Sequence, residues 1–482
     1  MPKESLKKKT VKGIGWSAVE KFSGQGIQFL VTIVIARILT PKDFGLVGMM
    51  AVFIAVAQAL VDSGFSQALI RTQNRTQADN CTVFYFNIVI STFLYGVLYL
   101  IAPWVADFYH QPQLVQLMRV LCLVVVINSF GAIQRALYTA TLNFKTQAKA
   151  SLIASVLSGI CGIIMAYGGF GVWALVGQQL LNALFCVCLF WWFSKWRPQL
   201  IYSWKSFRRL FAFGSNLLLS SLINTIYGNI YQIVIGKIFS AASLGYVSQA
   251  KHICQLPSAH VTGILDRVIY PVLSSMQDDD EKLSSAYRRL LRTSAFIVFP
   301  LMCGLAAVSY PLIKIVLGEK WLFSATLMIP ISFALMWNPV HAINLDLLKV
   351  KGRSDLFLRL EIIKKCIGIV VLVVSIPFGL LFMFWMRILS SLIALFINTY
   401  YTGKFIHVNF LTQMRDLLPS FATSMSMFGI SFLTTKLFTQ VWLQLIVAII
   451  VGGAFYLGMA YILKFKELSY LKSIIPIKQK KR

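Results

Sequence analysis

Acidic residues are scarce in this chain: 17 Asp and Glu stand against 45 Lys and Arg, and charges of both signs occupy only 13% of its 482 positions. Soluble domains carry about a quarter charged residues, so water is excluded as the only solvent. Histidine is rarer still, with five scattered copies. Neither H-E-x-x-H, nor G-x-x-x-x-G-K, nor a nucleophile elbow occurs, so the zinc peptidase, P-loop and α/β-hydrolase chemistries lose their signatures and an enzyme is not expected. Cys81, Cys122, Cys186, Cys254 and Cys303, like most of the eight cysteines, sit in apolar stretches without metal-ligand spacing or regular pairing. They are small hydrophobes, and no metal site is expected. Gly13, Gly15, Gly24 and Gly26 follow no strand, which excludes a dinucleotide-binding turn and leaves close helix packing or bending.

What the chain has in abundance is apolar length: 57% of residues are hydrophobic and the mean hydropathy is +0.72. Windows able to cross roughly 30 Å of hydrocarbon run over 14–39, 44–70, 81–105, 115–138, 150–167, 172–193 and 210–239. They continue over 244–273, 294–316, 323–348, 356–376, 380–401, 417–438 and 441–463. The expected fold is therefore an all-α, polytopic membrane protein with about fourteen transmembrane helices. Lys7-Lys8-Lys9 ahead of the first window looks like a signal peptide, yet that window contains Glu20 and Lys21 and continues to Leu39, too long and too polar for a cleaved segment.

A net charge of +28 in a soluble protein would suggest nucleic acid; in a membrane protein the same excess fixes orientation, and no nucleic-acid partner is expected. Sorted by loop, about 32 of the 45 basic residues fall at the termini or in loops on their side. About six lie opposite (Arg37, Lys42, Lys237, Lys314, Lys320, Lys436) and about seven inside the windows. Both termini are thus expected in the cytoplasm. The opposite loops, such as Tyr167-Gly168-Gly169-Phe170-Gly171 and Pro377-Phe378-Gly379, are tight turns with no room for a soluble domain. Asp278-Asp279-Asp280-Glu281 reads as a solvated loop.

A repeat runs through the chain. Ile33-Val34-Ile35-Ala36-Arg37-Ile38-Leu39-Thr40 returns as Ile233-Val234-Ile235-Gly236-Lys237-Ile238-Phe239-Ser240, and Gly45 and Val47 return as Gly245 and Val247. The offset of about 200 residues is six helices, so both copies enter the membrane with one orientation. Three parts follow: 1–203 with helices 1–6, 204–403 with helices 7–12, and 404–482 with two further helices and a basic tail. Ser17, Lys21, Gln25, Gln28 and Thr32 line one face of the first window, and Asn216, Ser220, Asn224, Tyr227 and Tyr231 one face of the seventh. Such stripes face another helix or a wet cavity, because lipid satisfies no hydrogen bonds.

Intramembrane charges cost on the order of 3 kcal/mol each and persist where they pair or act. Lys251, Gln255, Ser258, Thr262 and Asp266 share a face of the eighth window beside Arg267. Gln58 and Asp62 are one turn apart in the second. Arg119, His341, Asp346, Glu361, Lys364, Lys365 and Arg387 are further candidates, several close enough to window ends to snorkel. Lys21, Lys251 and Arg267 would make a cavity electropositive and suited to an anionic head group. With Gln25, Gln28, Asn216, Asn224 and Gln255 they form the expected substrate set. Glu20, Asp62 and Asp266 are candidates for ion or proton coupling, with H+, Na+ and the membrane potential alone left open.

Gly15-Trp16-Ser17 with Lys21 and Gln25, and then Ala36-Arg37-Ile38-Leu39-Thr40-Pro41-Lys42-Asp43-Phe44-Gly45, resemble the opening of Wzx-type (WzxC-like) polysaccharide flippases of the multidrug/oligosaccharidyl-lipid/polysaccharide exporter superfamily. Ala68-Leu69-Ile70-Arg71, Gly171-Val172-Trp173-Ala174-Leu175-Val176 and Gly352-Arg353-Ser354-Asp355 extend the similarity. The resemblance implies two six-helix lobes in a V around a central cavity, as in MATE and MurJ proteins, plus two C-terminal helices, in a bacterial inner membrane. It implies an undecaprenyl-pyrophosphate-linked oligosaccharide as substrate, moved to the periplasmic leaflet by alternating access for O-antigen, capsule or exopolysaccharide synthesis. Membrane lipids, a polysaccharide polymerase and chain-length machinery are the implied partners, and no cofactor is implied. A cation-coupled multidrug exporter and a lipid II flippase share the architecture. A membrane-embedded polymerase is the rival from another class and calls for external loops that this chain lacks.

Overall fold

A computed structural model describes residues 6–62, 65–72 and 75–468; side chains at 6–15, 17–22, 213, 216–217, 259–262 and 264–268 fall outside the description. All regular structure among the described residues is helical. In chain order the helices are α1 (Leu6–Ile38), α2 (Pro41–Asp62), α3 (Phe65–Arg71), α4 (Gln77–Tyr109), α5 (Leu114–Leu121) and α6 (Leu123–Ala140). Next come α7 (Phe144–Tyr167), α8 (Val172–Phe193), α9 (Trp204–Ile238), α10 (Ala241–Ser274), α11 (Asp280–Ala307) and α12 (Ser309–Val316). The last are α13 (Leu322–Leu335), α14 (Asn338–Val350), α15 (Ser354–Ser375), α16 (Leu380–Ile406), α17 (Phe410–Leu437) and α18 (Val441–Ile462).

Eleven helical segments among the described residues are long and apolar enough to cross a bilayer. The chain is a multi-pass membrane protein. The first, eighth and eleventh expected windows also form helices, α1, α10 and α15, but are less purely apolar: α15 alone carries Arg359, Glu361, Lys364 and Lys365. Several expected single helices are broken. A turn at Cys122 separates α5 from α6, and Met336-Trp337 separates α13 from α14, just before Pro339. Proline lacks the amide hydrogen that would continue the ladder, so a new helix starts there. Helices also overrun their apolar windows, as α11 does by starting at Asp280, because the backbone ladder continues through charged turns. Asp279 caps α11 by accepting from the Lys282 amide at 3.0 Å, and Asp280 accepts from the Lys351 ammonium at 2.7 Å. The acidic loop therefore pins a helix start.

Two compact units divide at Gly245/Tyr246. In the first, α1 packs on α7 and α7 on α8, burying Val31, Ile35, Leu39, Ala166, Ala174 and Leu175 together. A second cluster joins Phe65, Ala68 and Leu69 of α3 to Val83, Phe84, Ile133 and Leu210. α9 packs against α2, α3 and α4 within this unit. The repeat is visible here in matched helix starts. The Asp43 amide bonds to Thr40 Oγ1 at 3.4 Å, with Thr40 N–H returning to Asp43 at 2.9 Å, and Ser240 Oγ accepts from the Ser243 amide at 3.0 Å. One turn on, Gly45 lies against the carbonyl of Ala241, and Gly245 lies against the carbonyl of Pro41. A Cβ at either glycine would fall far inside the van der Waals radius of the opposing backbone.

In the second unit α11, α17 and α18 pack in series, and α16 packs on α13, α14 and α15. A dry polar knot ties three of these helices. The Asn344 and Gln413 amides exchange hydrogen bonds of 3.1 and 3.2 Å, and Thr402 Oγ1 donates to Asn344 Oδ1 at 2.8 Å. All three are almost fully buried. With no water to replace a lost partner, Asn344→Leu is expected to lower stability by about 1–3 kcal/mol, read as a lower midpoint of thermal unfolding in detergent with the oligomeric profile unchanged.

At the end of this unit bearing the α11 and α17 starts, Arg288 grips Asp416 through two bonds of 2.6 and 2.8 Å, and Arg292 reaches Glu467 at 3.2 Å. Arg353 holds Asp355 through a second fork of 2.9 and 2.8 Å, which draws that exposed carboxyl down to about 2. The fork is therefore complete above the ordinary Asp range, near pH 4, and is lost only as pH falls toward 2.

Candidate functional site

The polar stripe of α1 is partly open: Gln25 is exposed and Gln28 half-buried. On α9, Asn224 is exposed while Tyr227 and Tyr231 are half-buried. Asp62 of α2 is exposed, and Arg135 of α6 is the cation whose field reaches it. Glu20, Lys21, Asn216, Asp266 and Arg267 lie outside the described side chains. Lys237, the basic residue of the second repeat, is held within the first unit. Its ammonium donates to the Phe108 carbonyl at 2.6 Å and approaches His110 Nε2 at 3.3 Å.

The second unit collects more of the expected charges. Lys251 on α10 is half-buried and makes no hydrogen bond or ion pair among the described residues; the charge that bears on it is another cation, Arg387 of α16. One turn below Lys251 on the same face, Gln255 is exposed. Arg387 and Ser391 are likewise one turn apart on α16, and Ser391 Oγ pairs with His341 Nε2 at 2.9 Å. The other imidazole nitrogen lies 3.3 Å from the Asn398 amide, so His341 is clasped between two α16 side chains.

The remaining candidate charges divide by partner. Glu361 and Lys364 pair on one face of α15, and Lys349 donates to Asp346 at 2.8 Å on α14. Arg119 stacks over the Tyr99 ring at 4.3 Å. The Glu361–Lys364 and Asp346–Lys349 charges are compensated locally, whereas Lys251 has no anionic partner among the described residues. Ser391 and Asn398 were not legible as site residues, because Ser and Asn in membrane helices ordinarily serve helix contacts; the one available signal was their spacing of four and seven residues along α16 from Arg387 and Ser391.

Residues 34–326 match the family described as polysaccharide biosynthesis protein, and the chain belongs to that family. It is 26% identical over 460 residues to the teichuronic acid biosynthesis protein TuaB of Bacillus subtilis (strain 168), spanning 94% of this chain and 95% of that protein. To the lipopolysaccharide biosynthesis protein WzxC of Escherichia coli (strain K12) it is 28% identical over 385 residues, 77% of this chain and 76% of the relative. Its fold is similar to that of the lipid II flippase MurJ in an inward closed conformation, with a TM-score of 0.74 at 14% identity over 93% of this chain and 98% of that one.

Proposed function

We propose that this polysaccharide biosynthesis protein moves an undecaprenyl-pyrophosphate-linked oligosaccharide from the cytoplasmic to the periplasmic leaflet of a bacterial inner membrane, with both termini in the cytoplasm. The observation that carries the reading is the half-buried Lys251 ammonium, without an anionic partner among the described residues and under the field of Arg387. A pyrophosphate supplies the missing negative charge and accepts charge-assisted hydrogen bonds from the Lys251 ammonium. The prenyl chain stays in lipid, so the protein shields only the part that hydrocarbon rejects. Exposed Gln255, one turn from Lys251, offers its amide to sugar hydroxyls. Alternating access then turns the loaded site outward. Across an inside-negative potential of about 100 mV, carrying two uncompensated negative charges outward is favoured by roughly 4–5 kcal/mol.

The deciding measurement is translocation by the purified chain in proteoliposomes, with lipid-linked oligosaccharide from a polysaccharide-producing strain, fluorescently labelled on the glycan. Protein-dependent movement of the label across the bilayer, enhanced by a valinomycin-imposed potential, is expected. Lipid II and a cationic dye are run in parallel. Faster movement of either than of the oligosaccharide would replace this reading by a lipid II flippase or a multidrug exporter.

A further inference from the structure

We propose that the crevice between α10, α14 and α15 in the second unit is a carbohydrate subsite that receives the glycan of the transported lipid at the donor leaflet. The proposal rests on the carrier function above and names a part of the molecule for which Lys251 and Arg387 make no provision. The crevice has a volume of about 560 Å³ and is lined by Tyr270, Leu345, Asp346, Lys349, Phe357 and Glu361. That size falls within the ~300–1,000 Å³ of small-molecule sites.

Its chemistry is that of hydroxyl recognition. Tyr270 is 45% exposed, which leaves an aromatic face on which the C–H face of a pyranose can rest. Phe357 also lines the crevice, with the Lys349 ammonium 5.1 Å from its ring centre. Two carboxylates supply acceptors: Asp346 is bonded to Lys349 at 2.8 Å, and Glu361 is paired with Lys364. An ionised carboxylate has about four lone-pair sites, so each ion pair leaves acceptor positions for sugar hydroxyls while fixing the side chain. Each carboxylate is held by its own lysine, so neither stands as an uncompensated charge among the described residues. A bare phosphate gains little here, in contrast to the Lys251 and Arg387 region, and a neutral, hydroxyl-rich ligand gains most.

The depth agrees. Tyr270 lies four residues before the end of α10, Asp346 four before the end of α14, and Phe357 three after the start of α15. At a rise of ~1.5 Å per residue all three stand about 6 Å or less from helix ends. Those ends lie on the side that the basic-residue bias assigns to the cytoplasm. This is interfacial depth, where the sugars of a membrane-anchored lipid must sit because they cannot enter hydrocarbon.

The test measures equilibrium binding to the full chain in nanodiscs, with three probes: the intact lipid-linked oligosaccharide, the free glycan released from it by mild acid, and undecaprenyl pyrophosphate. Tyr270→Ala should weaken binding of the free glycan about tenfold and leave undecaprenyl pyrophosphate unaffected. Tyr270→Phe should restore glycan binding, since the ring and not the hydroxyl supplies the platform. Asp346→Asn should weaken the glycan in the same direction. Undiminished glycan binding in Tyr270→Ala and Asp346→Asn, as a purely interfacial aromatic anchor would give, overturns the proposal. So does a wild-type chain that binds undecaprenyl pyrophosphate but no free glycan, and this result leaves the carrier function standing. A wild-type chain that binds none of the three probes overturns both.

Discussion

Adding one methyl group at Gly45 should destabilise this protein more than an alanine at any other glycine of the first unit except Gly245. The Cβ would collide with the backbone carbonyl of Ala241, and a carbonyl cannot rotate away as a flexible side-chain end can. The starts of α2 and α10 would have to part by more than an ångström, an overpacking cost of about 3 kcal/mol. Gly245→Ala meets the Pro41 carbonyl from the other direction and should cost about as much. Both clashes occur at one crossing, so helices parted by the first methyl already accommodate the second. The double variant should therefore lie much closer to either single one than to their sum. Gly24→Ala, with no atom within 4 Å of its added Cβ, is the control and should be neutral or slightly stabilising. Thermal unfolding of the four variants and the wild type in one detergent checks the series. A wild-type midpoint for Gly45→Ala, or strict additivity in the double variant, would show that the crossing does not exist as described.

Removal of the Lys251 charge should reduce oligosaccharide translocation at least tenfold, about 1.4 kcal/mol or more of anion stabilisation. Lys251→Met keeps the length of the side chain and discards only its charge, so loss of function with normal folding would isolate electrostatics from packing. Arg387→Met should act in the same direction, and Lys251→Arg should retain much of the activity because the guanidinium offers a fork of donors to phosphate. Lys251→Met discards a half-buried charge without an anionic partner among the described residues, so it is expected to unfold at the wild-type temperature or above it. Full translocation by Lys251→Met at normal protein levels would remove this residue from the substrate path. A fall in stability matching the fall in transport would recast it as a structural group.

Much of the architecture was readable because the bilayer imposes a local rule. Runs such as 172–193 and 441–463 are uninterrupted and appear as α8 and α18 almost residue for residue. Where the run is interrupted, the sequence still marked the helix but not its breaks. Cys122 is apolar and gives no warning of the turn between α5 and α6, and the expected window over 323–348 ran unbroken through Pro339, where α14 in fact starts anew. The repeat was legible as Gly45 and Gly245 in register. That the two glycines meet was not, since register along the chain says nothing about which helix starts cross.

The site was less legible for a related reason. Glu361 and Lys364 are three residues apart on α15, so their pairing follows from helix geometry alone. The mutual influence of Lys251 and Arg387, or the clasp of His341 by Ser391 and Asn398, joins helices far apart in the chain and depends on how each is rotated about its axis.

Length, apolar runs and the one-sided distribution of basic residues by themselves determined an all-helical, multi-pass membrane protein, because transfer of a segment into hydrocarbon is nearly a sum over its own residues. Only the tertiary structure decided which intramembrane charges are neutralised by a neighbour. Neutralisation is a property of neighbours, and the packing of α10 and α13 to α16, not the composition of any one of them, chooses those neighbours.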